Sequence, residues 1–296
     1  MNSPAWFTRL VADIRSLKIQ GAERVARAGI KGLARLARER GSLDVRKEAE
    51  LLKEARPTEP MLRNAISYFL RHATLTNGAK TLARIVTGFD EVDTRIAEYA
   101  ASLVKEGGVY FTHCHSTTVV RALLLARQQG TVFAVHNTET RPREQGRKTA
   151  RELAKAGIPV THFVDSGSRI ALKGCAAVFL GADALLADGT IANKIGSEMI
   201  AELAKSRGIP VYVLANSWKY DPATAAGYKE RLEERPAAEV WKGAPKGVDV
   251  KNYAFDLVDP GYITAVITEL GIRDPFTAIK EIRMRRTWLF PTEYPD

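Results

Sequence analysis

The run His113-Cys114-His115-Ser116-Thr117-Thr118 sets a thiol between two imidazoles, directly ahead of a predicted helix. A helix N-terminus binds anions through its free amides and lowers the pKa of a thiol beside it, so Cys114 reads as a candidate thiolate. A free cysteine is more often a small core residue, and spacing alone leaves both readings open. Cys175, inside Lys173-Gly-Cys-Ala-Ala-Val, reads as core. His113 and His115 have no ligand cluster near them in sequence, so no metal is expected.

Asp183 follows the buried run 177–182 as a lone carboxylate, which a low dielectric can hold protonated near neutral pH. Downstream, Asn193-Lys194-Ile195-Gly196-Ser197 is expected to open a helix and offer an ammonium and free amides to a phosphate. Asn216-Ser217-Trp218-Lys219 brings a second lysine to the same rim, and two cationic corners suggest two phosphates. The stretch 136–147 is rich in cations and carboxylates, where a structural ion-pair network explains Glu139 and Arg141 equally well. The chain lacks Gly-x-Gly-x-x-Gly after a strand, a P-loop and Gly-x-Ser-x-Gly. Dinucleotide, P-loop nucleotide and elbow-type hydrolase chemistry therefore lose support.

These residues need a frame. From 3 to about 105 apolar residues recur at helical spacing, with prolines only at 4, 57 and 60, so residues 1–106 read as a helical N-terminal domain. Beyond Gly107-Gly108, β-rich runs at 109–113, 131–135, 160–164, 177–180 and 210–214 alternate with helical stretches at 117–129, 145–156, 168–173 and 194–207. That alternation predicts βαβ units: an α/β chain whose residues 107–296 form a Rossmann-like parallel-sheet domain. Ligands gather at the carboxyl ends of such strands, which is where the candidate residues stand. In the helical part, Arg24, Arg27, Lys31, Arg35 and Arg38 line one face. A solvated face is the simpler reading than docking to RNA or an acidic partner, because no aromatic residues are interleaved.

At 45% hydrophobic and 26% charged the chain is a folded, soluble one, and its net charge of +10 suits an anionic partner. Two cysteines cannot build a disulfide framework, so a reducing compartment, the cytoplasm, is expected. The first fifteen residues mix charges into an amphipathic pattern, which argues against a signal peptide or membrane span. The tail 287–295 is aromatic; it is expected to pack back on its own domain, with an oligomer contact as the other reading.

Taken in order, Cys114-His-Ser, Thr138-Glu-Thr-Arg-Pro with Gln145-Gly146, Gly181-Ala-Asp183 and Asn193-Lys194-Ile-Gly resemble one superfamily. It holds methylthioribose-1-phosphate isomerase, ribose-1,5-bisphosphate isomerase and the regulatory subunits of translation initiation factor 2B. Gln20-Gly21-Ala22 and Arg56-Pro57-Thr58 resemble its two anion-contacting motifs, and the likeness is greatest to its archaeal branches. The resemblance implies Cys114 and Asp183 as catalytic pair, and Gln20, Gly21, Ala22, Arg56, Ser116, Thr117, Gln145, Asn193 and Lys194 as substrate contacts. Lys219 matches a lysine of the bisphosphate branch. Gln20 and His115 depart from the isomerases, which usually carry arginine and asparagine there.

The resemblance thus implies an isomerase converting ribose 1,5-bisphosphate to ribulose 1,5-bisphosphate. A non-catalytic 2B-like regulatory protein is the second reading and methylthioribose-1-phosphate isomerase the third. It further implies no cofactor, a nucleotide effector such as AMP, and a homo-oligomer, a dimer or a hexamer built from dimers. Contact with nucleic acid or an initiation factor is not favoured.

Overall fold

The computed structural model describes residues 3–229 and 232–289. Helices come first: α1 (Ala5–Arg15), α2 (Ala22–Arg40), α3 (Arg46–Ala55), α4 (Pro60–His72) and α5 (Gly78–Ala101). Each turns one apolar stripe inward; α2 buries Val25, Ile30, Leu33 and Leu36 against its neighbours α1, α4 and α5. The long α5 serves two cores. Its Ile85 and Phe89 pack with the helices, whereas Val92 to Ala101 pack on the sheet that follows.

That sheet is built from β1 (Val109–Thr112), β2 (Ala134–Thr138), β3 (Val160–Phe163), β4 (Ala177–Leu180), β7 (Val211–Leu214), β9 (Ala265–Thr268) and β10 (Gly271–Arg273). The order is β10-β9-β7-β4-β1-β2-β3, parallel throughout except at β10. Helices α6 (Thr117–Gln128), α7 (Gly146–Lys155), α8 (Ser168–Ala171), α9 (Ser197–Lys205) and α10 (Pro275–Arg285) cover its faces. A second, antiparallel sheet joins β5 (Ala184–Leu185), β6 (Ile191–Lys194) and β8 (Phe255–Val258).

Several expectations need correction. The second strand runs 134–138 rather than 131–135. The Val132 amide donates to Glu106 and its carbonyl accepts from Gly107, so the preceding residues are used up in a turn. The helix expected over 194–207 begins only at Ser197, because Ile191–Lys194 pairs with β8 as a strand. The smaller sheet, β9, β10 and α10 were not foreseen. Asn193 and Lys194 are poor strand formers, and only the tertiary pairing with Phe255–Val258 draws them into a sheet.

The last described residues turn inward: Leu289 is buried, and Trp288 packs on Trp218 with tilted rings whose centroids are 4.0 Å apart. Residues 290–295 of the aromatic tail lie outside the described residues.

Besides the shared packing along α5, the two parts of the chain are tied by a buried amide. Asn64 on α4 donates to the carbonyls of Trp218 (2.8 Å) and Tyr220 (2.7 Å), in the turn that carries Lys219. Asn64→Leu strands both carbonyls without a donor. We expect it to cost about 2–6 kcal/mol, since each of the two unmet buried groups costs roughly 1–3 kcal/mol; urea unfolding measures this.

Candidate active site

Strand order places the site. After β1 the chain moves to β2 on one side, and only later returns to β4 on the other. The carboxyl ends of β1 and β4 therefore diverge into a crevice, the usual ligand position in open α/β sheets. A cavity of about 640 Å³ opens there, roofed by the first turn of α2 and walled by the 142–151 stretch and β6. Every residue that the sequence marked for the site borders it: Cys114 and Asp183, Gln20 to Ala22, Arg56, Ser116, Thr117, Gln145, Asn193, Lys194 and Lys219. Gly181 is needed for closeness alone, since a Cβ there would meet Ser116 at 2.8 Å.

Cys114 stands in a left-handed backbone conformation (φ 65°), unusual for a residue with a Cβ. Neighbouring loops hold it there. Its amide donates to Thr140 Oγ1 (2.9 Å) and its carbonyl accepts from Thr149 Oγ1 (2.9 Å). The Asp165 carboxylate takes the amides of Thr140 (2.8 Å) and Arg141 (2.6 Å), fixing the loop that fixes Cys114. His113 is buried between Thr138 Oγ1 (2.6 Å) and the Ile195 carbonyl (2.8 Å), a strut between this loop and the end of β6. His115 bonds instead to Thr149, so the two imidazoles do not converge as a ligand pair. Glu139 pairs with Arg147, and Arg141 with Glu144, which favours the structural reading of that network.

The lowered pKa expected for a thiol at this helix terminus is corrected. Burial pushes the Cys114 thiol up to about 11, against the pull of the nearby Lys194 ammonium. Ser116 caps α6 with its own hydroxyl, accepting from the Val119 amide, so one of the amides expected beside the thiol is already taken. Asp183 is likewise raised above the usual carboxylate range by burial, against Lys219, Lys194 and Arg56. Burial thus disfavours the charged form of both groups, so sulfur and carboxyl keep a proton between them to higher pH than either group does in water.

The cations also differ from expectation. The helix amides expected beside Lys194 are already engaged: Gly196 N (2.6 Å) and Glu198 N (3.1 Å) both donate to Asp256. Lys194 itself lies over the Phe255 ring, 5.1 Å from its centroid, and Asn193 donates to Ser197. Lys219 is buried and donates to the Ala182 carbonyl at 2.6 Å, next to Asp183. Arg56 borders the cavity but is paired with Glu59 (2.9 Å) and Glu233 (3.4 Å). Burial lifts Glu59 to about 7. Sequence reading missed Glu59, although its position three residues past Arg56 is the spacing of an intrahelical ion pair.

The first turn of α2 has no side-chain cap where Gly21 and Ala22 border the cavity, so its amides remain open to an anion. The basic stripe on α2 is divided rather than uniformly solvated. Arg35 pairs with Glu39 and lies over Trp6, and Arg27 pairs with Glu23 and Asp90. Arg24 borders the cavity. Among the described residues no helix is long and apolar enough to cross a membrane, and no group of three His, Cys, Asp or Glu is placed to hold a metal.

Comparison with known proteins agrees with the architecture. The chain is 33% identical to ribose 1,5-bisphosphate isomerase of Thermococcus kodakarensis, over 94% of either chain. It is 36% identical to methylthioribose-1-phosphate isomerase of Symbiobacterium thermophilum, over 92% of this chain and 86% of that one. The solved structure of translation initiation factor eIF-2B from Pyrococcus horikoshii superposes with a TM-score of 0.84 at 25% identity, covering 94% of this chain and all of that one. Residues 18–275 match the model of the initiation factor 2 subunit family, and the chain belongs to that family.

Proposed function

We propose that this cavity isomerises α-ribose 1,5-bisphosphate to ribulose 1,5-bisphosphate. The observation that carries the reading is the meeting of Cys114 and Asp183 in one cavity with Lys194 and Lys219, in a chain whose relatives include ribose 1,5-bisphosphate isomerases. The C1 oxygen of this sugar is phosphorylated, so the ring cannot open as a free sugar does. Asp183 gives its proton to the ring oxygen as the C1–O bond breaks. The Cys114 thiolate takes the C2 proton, leaving a C1–C2 enol. The thiol then returns a proton to C1, and the C2 hydroxyl gives its own to the Asp183 carboxylate, forming the ketone and restoring both groups. Lys194 and Lys219 steady the phosphate and the developing negative charge.

The pair works with one proton shared between sulfur and carboxyl. Rate therefore follows a bell: a second proton stops it on the acid side, and loss of the last stops it on the alkaline side. Both groups are raised by burial, so both limbs lie above the pH of ordinary carboxylates and thiols. Lys194 lowers both, and Lys194→Met removes that cation. The whole bell then shifts to higher pH, measured as kcat against pH.

The deciding experiment is incubation with ribose 1,5-bisphosphate, with and without AMP, followed by detection of the ketose. Failure to form it favours the binding-protein reading, which the likeness to an eIF-2B structure and the replacement of arginine by Gln20 support. Methylthioribose 1-phosphate is the control substrate; it offers no second phosphate to the basic cavity. No cofactor enters the scheme. A cytoplasmic homo-oligomer, dimer or hexamer, belongs to the same proposal, and exposed Phe276 and Met284 on α10 provide apolar surface for it.

A further inference from the structure

The cavity mouth carries charge that neither the resemblance nor the chemistry above uses. Arg24, in the first turn of α2, and Lys148 and Arg151, one turn apart on α7, all border the cavity. Most other guanidinium groups on its wall are neutralised. Arg27 pairs with Glu23 and Asp90, Arg121 with Asp93, Arg143 and Arg235 with Glu239, and Arg56 with two glutamates. Arg24 and Arg151 have no carboxylate partner among the described residues, and Lys148 has only the long 3.7 Å contact to Glu152.

His115 lies among them, and its hydrogen bonds fix its tautomer. Thr149 gives its hydroxyl hydrogen to the Cys114 carbonyl, so it can only accept from His115 Nδ1. Nε2 then carries a bare lone pair, buried and without a partner. Burial and the charges of Lys148 and Arg24 hold this imidazole neutral, down to about 4. Nε2 offers an anion no hydrogen, so what the mouth presents to a phosphate is the charge of Arg24 and Arg151, both exposed and without a carboxylate partner among the described residues, together with that of Lys148.

We propose that Arg24, Lys148 and Arg151 form a phosphate-ester subsite at the cavity mouth, separate from Lys194 and Lys219 on its floor. The C1 phosphate is bound to a reacting carbon and must stay beside Cys114 and Asp183, so the mouth takes the phosphate at the far end of the sugar. That assignment rests on the isomerase reading; the existence of the subsite rests on the charges alone. It also answers Gln20, since Arg24, four residues on and in the first turn of α2, returns a cation to the cavity that lacks arginine at 20.

The test has two arms. In the first, KM for ribose 1,5-bisphosphate is measured for Arg24→Gln, Arg151→Gln and their double variant. Each single change is expected to raise KM roughly tenfold and the double roughly a hundredfold, as for lost charge-assisted hydrogen bonds. Lys31→Gln, exposed on the same helix and away from the cavity, is the control for net charge alone. In the second, calorimetry follows binding of inorganic pyrophosphate to the same variants, which needs no turnover. Weaker pyrophosphate binding in the double variant, with Lys31→Gln unchanged, upholds the subsite even if the protein proves inactive on the sugar. Unchanged binding in both arms, or equal weakening by Lys31→Gln, overturns it.

Discussion

Cys114→Ser and Asp183→Asn each lower ketose formation by roughly 10²–10⁴-fold, the span that a positioned acid or base contributes. A serine hydroxyl ionises far less readily than a thiol, so the substituted side chain occupies the space without serving as the base. Asparagine keeps the shape of Asp183 but has no proton of suitable acidity for the ring oxygen. Neither change removes a structural bond that supports the fold. Cys114 is held through its backbone by Thr140 and Thr149, and Asp183 through its amide, which donates to the Ala192 carbonyl. Thermal unfolding should therefore be little altered while turnover collapses, and the two measurements together separate chemistry from folding. Full activity in either variant removes that residue from the mechanism.

Gly146→Ala should damage fold and activity together. A Cβ at this position would collide with the Thr138 carbonyl oxygen, a backbone atom that cannot step aside as a flexible side chain can. The same glycine donates to the Glu139 carbonyl (3.0 Å) and accepts from the Asn137 side chain (2.8 Å), closing the turn between β2 and α7. Forcing it open costs roughly 3 kcal/mol on the scale of overpacked sites. It also displaces Thr140, whose hydroxyl holds the Cys114 amide, so activity falls beyond what the loss of folded protein explains. Denaturant unfolding and kcat per folded molecule read the two parts. A variant as stable and active as the parent would show that this turn does not position the cysteine.

That Cys114, Asp183 and Lys219 border one cavity was legible before folding because chemistry-bearing groups recur just after β-rich runs, whereas Gln20 to Ala22 and Arg56, in the helical part, came only from the family resemblance. Parallel strands deliver such positions to one edge whatever the details of the loops. What each residue does there was less legible. Arg56 looks like a free anion binder until Glu59 and Glu233 are seen beside it. The amides after Lys194 look like a phosphate cradle until Asp256 takes two of them. Cys114 looks like a thiol acidified by its helix terminus until burial raises its pKa instead. Arg24 looked like one more solvated cation, and the structure brings it to the cavity.

The amino-acid order by itself determined the helical start, the βαβ architecture and the set of side chains at the strand ends, because periodicity and turn chemistry act over a few residues. Tertiary structure alone decided which charges stay available and which protons are held. The partner that silences the α9 amides lies 60 residues further along the chain, and the desolvation that lifts Cys114 and Asp183 exists only once the walls of the cavity have met.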